Sequence, residues 1–173
     1  MPKKPTLPSR GSSEIPNPQV FEAAQQFREA YTVMMRQGAA AGGLLLPAIH
    51  SAFIALELYL KSLSAIEVEV PHLIVPGLSS IHAQTAVQSH RLEELFDLAP
   101  TEFQKAMDKE VRRKPSLKKV GARAALLARN QIFMASRYVF EAGHHLNGLV
   151  IAELDELLAA IEAGIKAFPS RHV

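Results

Sequence analysis

Apolar residues recur every three or four positions along most of the chain, which is the spacing of an amphipathic α-helix. The first such stripe follows the Asn-Pro pair at 17–18, residue types that favour a helix start, and it ends before Gly38. A second helix, apolar on most of its faces, is predicted over 47–63. Its charged residues, Glu57 and Lys61, are four positions apart, so we expect them to form an ion pair.

The helical spacing is lost over 66–89, where valine and isoleucine briefly alternate with glutamate before prolines and a glycine. This segment predicts a long irregular connection. A short hairpin stays open as the alternative, because alternation over five residues is weak evidence for strands. Helical spacing returns after His90. Thr101, with Gln104 three residues later, fits a capping box that would open the next helix.

Two longer helices are predicted in the second half of the chain, one over 117–142 and the last over 146–165. The last helix carries the most regular apolar stripe. The sequence therefore predicts an all-α fold, a bundle of about five to six helices with the irregular connection after the second helix. We expect a single helical domain over 17–169, a disordered tail over 1–16 and a short tail over 170–173.

The composition narrows the class of protein but names no function. Hydrophobic residues make up 48% of the 173 positions and charged residues 21%, which fits a globular chain better than a disordered one. The absence of cysteine excludes disulfides, thiolate metal sites and cysteine nucleophiles, and it points to a reducing compartment, the cytoplasm. No stretch reaches the roughly 20 apolar residues that span a bilayer, so no membrane partner is expected.

Positive charge is concentrated in one part of the chain. The segment from Lys105 to Arg137 contains ten lysines and arginines but only two acidic residues, whereas the net charge of the whole chain is +2. Such a cluster can contact several phosphates of an RNA. The candidate RNA-binding residues are Arg112, Arg113, Lys114, Lys118 and Lys119. A solvated turn is the alternative, because no aromatic residue lies between them for a base to stack on.

Three segments, in the expected order, resemble the HEPN superfamily of helical bundles: PAIHSAFIALELYLKSL (47–63), SHRLEELFDLAPTEFQ (89–104) and FMASRYVFE (133–141). The first contains an E-L-Y-L-K signature. The second has Ser89 where the family has glycine, and the third matches an R-Y-x-Y-E segment with Phe140 in place of the second tyrosine. The resemblance implies an antiparallel bundle, commonly a homodimer, and in some branches a metal-independent ribonuclease.

Active HEPN ribonucleases carry an arginine followed after four to six residues by a histidine, and the resemblance places this pair at Arg137 and His144. On a continuous helix these two positions return to nearly the same face, and Asn130 lies on the same line. Glu141 is four residues from Arg137, where it could orient the guanidinium. His50, on the second helix, is expected to face Arg137 across the bundle.

The chemistry that the resemblance implies is transesterification, in which the ribose 2′-hydroxyl attacks the adjacent phosphate. His144 would transfer the proton near neutral pH, and Arg137 would stabilise the negative charge that develops on the phosphate oxygens. This reaction needs no cofactor and no metal, and the seven histidines of the chain show no metal-ligand spacing. The alternative keeps Arg137 as a structural residue, in an ion pair with Glu57 or Glu141.

Two functions therefore stay open. The first is an RNA-associated HEPN-like protein of a stress, defence or toxin–antitoxin system that acts as a metal-independent endoribonuclease. The second is a non-catalytic module for protein interaction or regulation. The resemblance implies a homodimer and contact with a partner or antitoxin protein, and it leaves catalysis undecided.

Overall fold

In the computed structural model, the chain is described over residues 14–38, 43–72, 74, 79–85, 87–137 and 148–172, apart from the side chains of 137, 171 and 172. The helices are α1 (Pro18–Arg36), α2 (Leu45–Lys61), α3 (Leu92–Leu98), α4 (Thr101–Arg112), α5 (Ala122–Leu127), α6 (Asn130–Arg137) and α7 (Ile151–Lys166). The strands are β1 (Glu14–Ile15), β2 (Ala65–Pro71), β3 (Ser79–Thr85) and β4 (Arg171–His172). The prediction of an all-α fold is confirmed, since the strands form only two small two-stranded sheets among these residues. Over the same ranges, none of the helices has the length and apolar character needed to cross a membrane.

The first helix forms as predicted because its start and its end are specified locally. The Asn17 side-chain Oδ1 accepts a hydrogen bond from the backbone N–H of Val20 at 3.2 Å, and Pro18 occupies the first turn. The backbone N–H of Asn17 also donates to the carbonyl of Ser62 at 2.7 Å, which fixes the start of α1 against the end of α2. Gly38, with φ of 74°, ends the helix.

The second helix is the centre of the bundle. It packs against α1, α3, α6 and α7, and the side chains of Phe53 and Tyr59 are fully buried. Glu57 and Lys61 form the predicted ion pair, with Nζ 2.5 Å from Oε1. A helix that is apolar on most of its faces must be enclosed by other elements, so α2 fixes the positions of its neighbours.

The connection after α2 contains a hairpin, which is the alternative that the sequence leaves open, and not a wholly irregular segment. β2 and β3 pair antiparallel, with Ala65 opposite Thr85 and Pro71 opposite Ser79. Ala65 and Val68 are buried, whereas the outer half of the hairpin is exposed. The short alternation of apolar and acidic residues was therefore a strand signal, too brief to be distinguished from a loop by pattern alone.

α4 begins differently from the prediction. Pro100 precedes the helix, Thr101 lies in its first turn, and neither side chain caps it. Gln104 instead donates from Nε2 to the carbonyl oxygens of Ala99 at 2.8 Å and Asp97 at 3.1 Å. The capping box is not formed, because the glutamine side chain satisfies carbonyls at the end of α3 and thereby fixes the turn between the two helices.

The single helix predicted over 117–142 is also wrong, because the described part of that range is divided between α5 and α6. The residues before Gly121 form turns, and Gly121 itself has φ of 80°. The backbone N–H of the next residue, Ala122, donates to Oδ1 of Asp108 at 2.8 Å, so α5 begins there. The turn between α4 and α5 therefore folds back against α4.

The last helix, α7, keeps the predicted apolar stripe but begins at Ile151, later than expected. It packs closely on α4. A Cβ atom at Gly164 would lie only 2.5 Å from the Cα of Met107, so the two backbones meet without an intervening side chain. This contact places the C-terminal end of α7 beside α4, where the candidate site lies.

The two ends of the described chain are joined. Glu14 pairs with His172 and Ile15 with Arg171 in a short antiparallel ladder of β1 and β4. Both strands lie outside the predicted domain limits of 17–169. The ladder therefore includes residues that the sequence assigns to the two tails.

Candidate nucleic-acid interface

Two predicted site residues lie at the contact between α2 and α6. The rings of Phe53 and Phe133 are stacked with centroids 5.4 Å apart, and Nδ1 of His50 lies 3.2 Å from Oγ of Ser136. The backbone of Arg137, which ends α6, is therefore next to the residue that His50 contacts. The side chain of Arg137 lies outside the described residues, as do Glu141 and His144, so the arrangement of this group stays a prediction.

The side chain of Asn130 contacts the start of α3. The sequence predicts instead that it lies on the same helix face as Arg137 and His144. Its side-chain Oδ1 accepts a hydrogen bond from the backbone N–H of Leu92 at 2.9 Å, and its Nδ2 donates to the buried carboxylate of Glu93. Burial raises the pKa of Glu93, but hydrogen bonds from Asn130 and Arg91 outweigh it and hold the pKa below its ordinary value. Asn130 thus joins the start of α6 to the start of α3.

Glu57 likewise has structural contacts. It is buried, and its Oε1 lies 2.8 Å from Nδ1 of His90 and 2.5 Å from Nζ of Lys61. These contacts tie the segment before α3 to the centre of α2. The predicted ion pair with Arg137 concerns a side chain outside the described residues and stays untested.

The five predicted RNA-binding residues lie together at the end of α4 and in the turn that follows. Arg112 and Arg113 are exposed and pair with Asp108 and Glu110, each at 2.6 Å. The remaining three are Lys114, Lys118 and Lys119. These lysines have no ion pair with any described residue, and the last two are exposed. We call the five residues the basic turn.

A groove continues the basic turn between α3, α4 and α5. Its volume is about 550 Å³, and its lining residues are Phe96, Gln104, Lys105, Asp108, Lys109, Arg112 and Arg123. Arg123 donates from Nε and Nη2 to both carboxylate oxygens of Asp97, at 2.8 to 3.0 Å, and this pairing raises the pKa of Arg123. Lys105 and Lys109 are exposed and have no ion pair within the described part of the chain. We call this cavity the basic groove.

At the basic groove, Asp108 connects α4 to the start of α5. Burial raises the pKa of Asp108, but hydrogen bonds from Arg112 and the backbone N–H of Ala122 hold it below its ordinary value. A Cβ atom at Gly121 would lie 2.8 Å from Oδ1 of Asp108 and 2.9 Å from Nη2 of Arg112. Gly121 also has φ of 80°, a backbone conformation that favours glycine, so a larger residue here would be strained and would displace the ends of the Asp108 and Arg112 side chains.

One member of the predicted cationic cluster does not belong to this surface. Arg129 is buried, where its Nη1 donates to the carbonyl of Ala125 at 2.9 Å and its Nη2 to Glu153 at 2.5 Å. It joins the turn between α5 and α6 to the first part of α7. A sequence cannot separate such a structural arginine from the exposed ones around it.

An aromatic residue missed by the sequence reasoning lies beside the basic groove. A second cavity of about 380 Å³ borders α4, and its lining residues are Glu102, Lys105, Ala106, Lys109, Glu110, Ala167 and Phe168. Phe168 is half-buried and its ring is tilted by 53° against that of Phe103, with centroids 4.8 Å apart. We call this cavity the aromatic cleft. Only the packing of α7 on α4 brings Phe168 here, so no local pattern could have revealed it.

No group of three or more histidine, aspartate or glutamate side chains is close enough to hold a metal ion in the described ranges.

Comparison with known proteins adds no relative. No protein-family model, no curated protein and no solved structure matches the chain. The resemblance to HEPN proteins therefore depends on the three quoted segments.

Proposed function

We propose that this chain is an RNA-associated helical bundle of the HEPN type that binds RNA through the basic turn. The observation that supports this most directly is that Lys114, Lys118 and Lys119 lie together without a carboxylate partner among the described residues. Unpaired cations on one surface can exchange their counterions for RNA phosphates. The neighbouring groove supplies further cations from α4.

The resemblance extends this proposal to a cellular role. In this proposal the protein acts in a stress, defence or toxin–antitoxin system of the cytoplasm, as a homodimer with a partner or antitoxin protein. In the catalytic form of the proposal, Arg137 and His144 carry out transesterification. A bond forms between the 2′-oxygen and phosphorus, the bond to the 5′-oxygen breaks, and the proton passes from the 2′-hydroxyl to the leaving oxygen through His144.

A second candidate function is a non-catalytic interaction module, and one observation favours it. Of the residues predicted to support the catalytic pair, Asn130 caps α3 and Glu57 ties α2 to His90 and Lys61. Both contacts are structural. In this candidate Arg137 is structural as well, in an ion pair with Glu57 or Glu141.

Binding and cleavage are tested separately. For binding, fluorescence anisotropy with a labelled RNA compares the wild type with Lys118→Gln/Lys119→Gln and with Arg36→Glu. Arg36 is exposed at the end of α1, and Arg36→Glu removes the same amount of positive charge without touching the basic turn. We expect the double variant to bind about tenfold more weakly and the control to bind like the wild type. Equal affinity in all three proteins would contradict the proposal.

For cleavage, total RNA is incubated with the protein in excess EDTA, beside Arg137→Ala and His144→Ala. The catalytic form predicts cleavage that survives the chelator and disappears in both variants. Binding without cleavage in any sample would favour the non-catalytic module. Equal cleavage in all three samples would identify a contaminating nuclease.

A further inference from the structure

The basic groove and the aromatic cleft meet along one edge of α4. Lys105 and Lys109 line both cavities, because they are four residues apart on the same face of the helix. Both side chains are exposed. A ligand that occupies the groove and the cleft together would therefore contact both lysines.

The two cavities differ in charge. The groove is lined by four cationic side chains and the carboxylate of Asp108; Arg112 pairs with Asp108 and Arg123 with Asp97, whereas Lys105 and Lys109 have no ion pair among the described residues. Around the cleft, the two shared lysines are matched by Glu102 and Glu110. The groove is therefore suited to a phosphate and the cleft to an uncharged group.

The cleft has the features of a stacking site for a planar ring. Phe168 provides a half-buried aromatic ring, which packs at a tilt against the ring of Phe103. Ala106 and Ala167, which line the same cleft, have small side chains. Every nucleobase has a flat face that can stack on such a ring.

We propose that Phe168 forms a nucleobase subsite, with one base of a single-stranded RNA stacked on its ring and the flanking phosphates bound by Lys105 and Lys109. This inference rests on the proposed association with RNA and names the form of RNA that is bound. A duplex does not fit, because its bases are already stacked on one another and cannot reach the ring. The basic turn then continues the path of the backbone beyond Arg112.

The test uses two labelled probes in fluorescence anisotropy: an unstructured oligouridine of about ten nucleotides, and an abasic backbone of the same length. We expect the wild type to bind oligouridine at least about tenfold more tightly than the abasic probe. Phe168→Leu should abolish this difference by weakening only the oligouridine complex. Phe168→Tyr, which keeps the aromatic ring, should preserve it.

The lysines are tested with the same probes. Lys105→Gln/Lys109→Gln should weaken both complexes by about tenfold, because it removes phosphate contacts and leaves the ring in place. Circular dichroism checks that each variant folds. If Phe168→Leu does not fold, the affinities of the wild type for the two probes still test the nucleobase subsite. Equal affinity for oligouridine and the abasic probe would overturn the nucleobase subsite and leave the association with RNA intact. Failure of the wild type to bind either probe would contradict both proposals.

Discussion

Asn130 at the start of α6 accepts a hydrogen bond from the backbone N–H of Leu92 at the start of α3, with 2.9 Å between Oδ1 and N. The same side chain donates to Glu93. A residue that the sequence places on a catalytic line is therefore part of the connection between two helices. Its amide satisfies a backbone donor that has no partner within α3.

Replacement of Asn130 by alanine should lower the free energy of unfolding by about 1 to 3 kcal/mol, because it leaves the N–H of Leu92 and the carboxylate of Glu93 without this partner. Urea denaturation measures the effect. Gln131→Ala, at the exposed neighbouring position, is the control and should change stability by less than about 0.5 kcal/mol. An unchanged stability in Asn130→Ala would contradict the structural role.

Glu93 should make the protein sensitive to acid. Its pKa in the folded protein lies below the ordinary value of 4.5, so its charged form stabilises the fold above that pH. This stabilisation is lost as the pH falls through the lower, folded value. Glu93→Gln should therefore be less stable than the wild type at pH 7, and the difference should shrink toward pH 3.

Urea denaturation at both pH values tests this dependence. Glu29→Gln, at an exposed position with no described contact, serves as the control and should match the wild type. A difference between Glu93→Gln and the wild type that stays constant from pH 7 to pH 3 would show that the carboxylate charge does not contribute.

Two buried tyrosines in the described part of the chain, Tyr31 and Tyr59, should differ in how the loss of the hydroxyl group changes stability. Burial raises the pKa of Tyr59 to about 12, and its hydroxyl has no hydrogen-bond partner among the described residues. The hydroxyl of Tyr31, in contrast, donates to Asp155 at 2.5 Å. Tyr59→Phe should therefore leave stability unchanged or raise it by about 1 kcal/mol, whereas Tyr31→Phe should lower it by about 1 kcal/mol. Thermal denaturation followed by circular dichroism compares them, and a large loss in Tyr59→Phe would reveal a missing partner.

The contact between α4 and α7 should not tolerate a larger side chain. A Cβ atom at Gly164 would lie 2.5 Å from Cα and 2.7 Å from N of Met107, and backbone atoms cannot move aside as a flexible side chain can. Gly164→Ala should destabilise the protein by about 1 to 3 kcal/mol, although alanine is the better helix former. Ala163→Ser, at the exposed adjacent position, is the control for chemical denaturation. Stabilisation by Gly164→Ala would show that the helices are farther apart.

The sequence predicts best the elements that are specified by their own residues. Asn17 and Gly38 mark the limits of α1, and the apolar faces of α2 and α7 follow from their spacing. The sequence predicts poorly the elements that depend on distant contacts. Ala122 starts a separate helix because its N–H bonds to Asp108 of α4, which no local pattern specifies.

The candidate site also has a part that the local sequence specifies and a part that depends on distant contacts. A cluster of cations in the sequence is enough to locate the basic turn, since its lysines are close together in the chain. Phe168 is a different case, because it is brought to α4 only by the close packing of Gly164 on Met107. Arg129 belongs to the cationic cluster in the sequence, but its ion pair with Glu153 keeps it away from the surface.

The salt dependence of binding tests whether the basic turn binds RNA phosphates. The association constant for a labelled oligouridine is measured over a series of salt concentrations for the wild type, Lys118→Gln/Lys119→Gln and Arg36→Glu. We expect the logarithm of the constant to fall steeply with the logarithm of salt concentration for the wild type and the control. The slope of the double variant should be shallower by about 1.4, because each phosphate contact to a single strand contributes roughly 0.7. Identical slopes in the double variant and the wild type would contradict the claim.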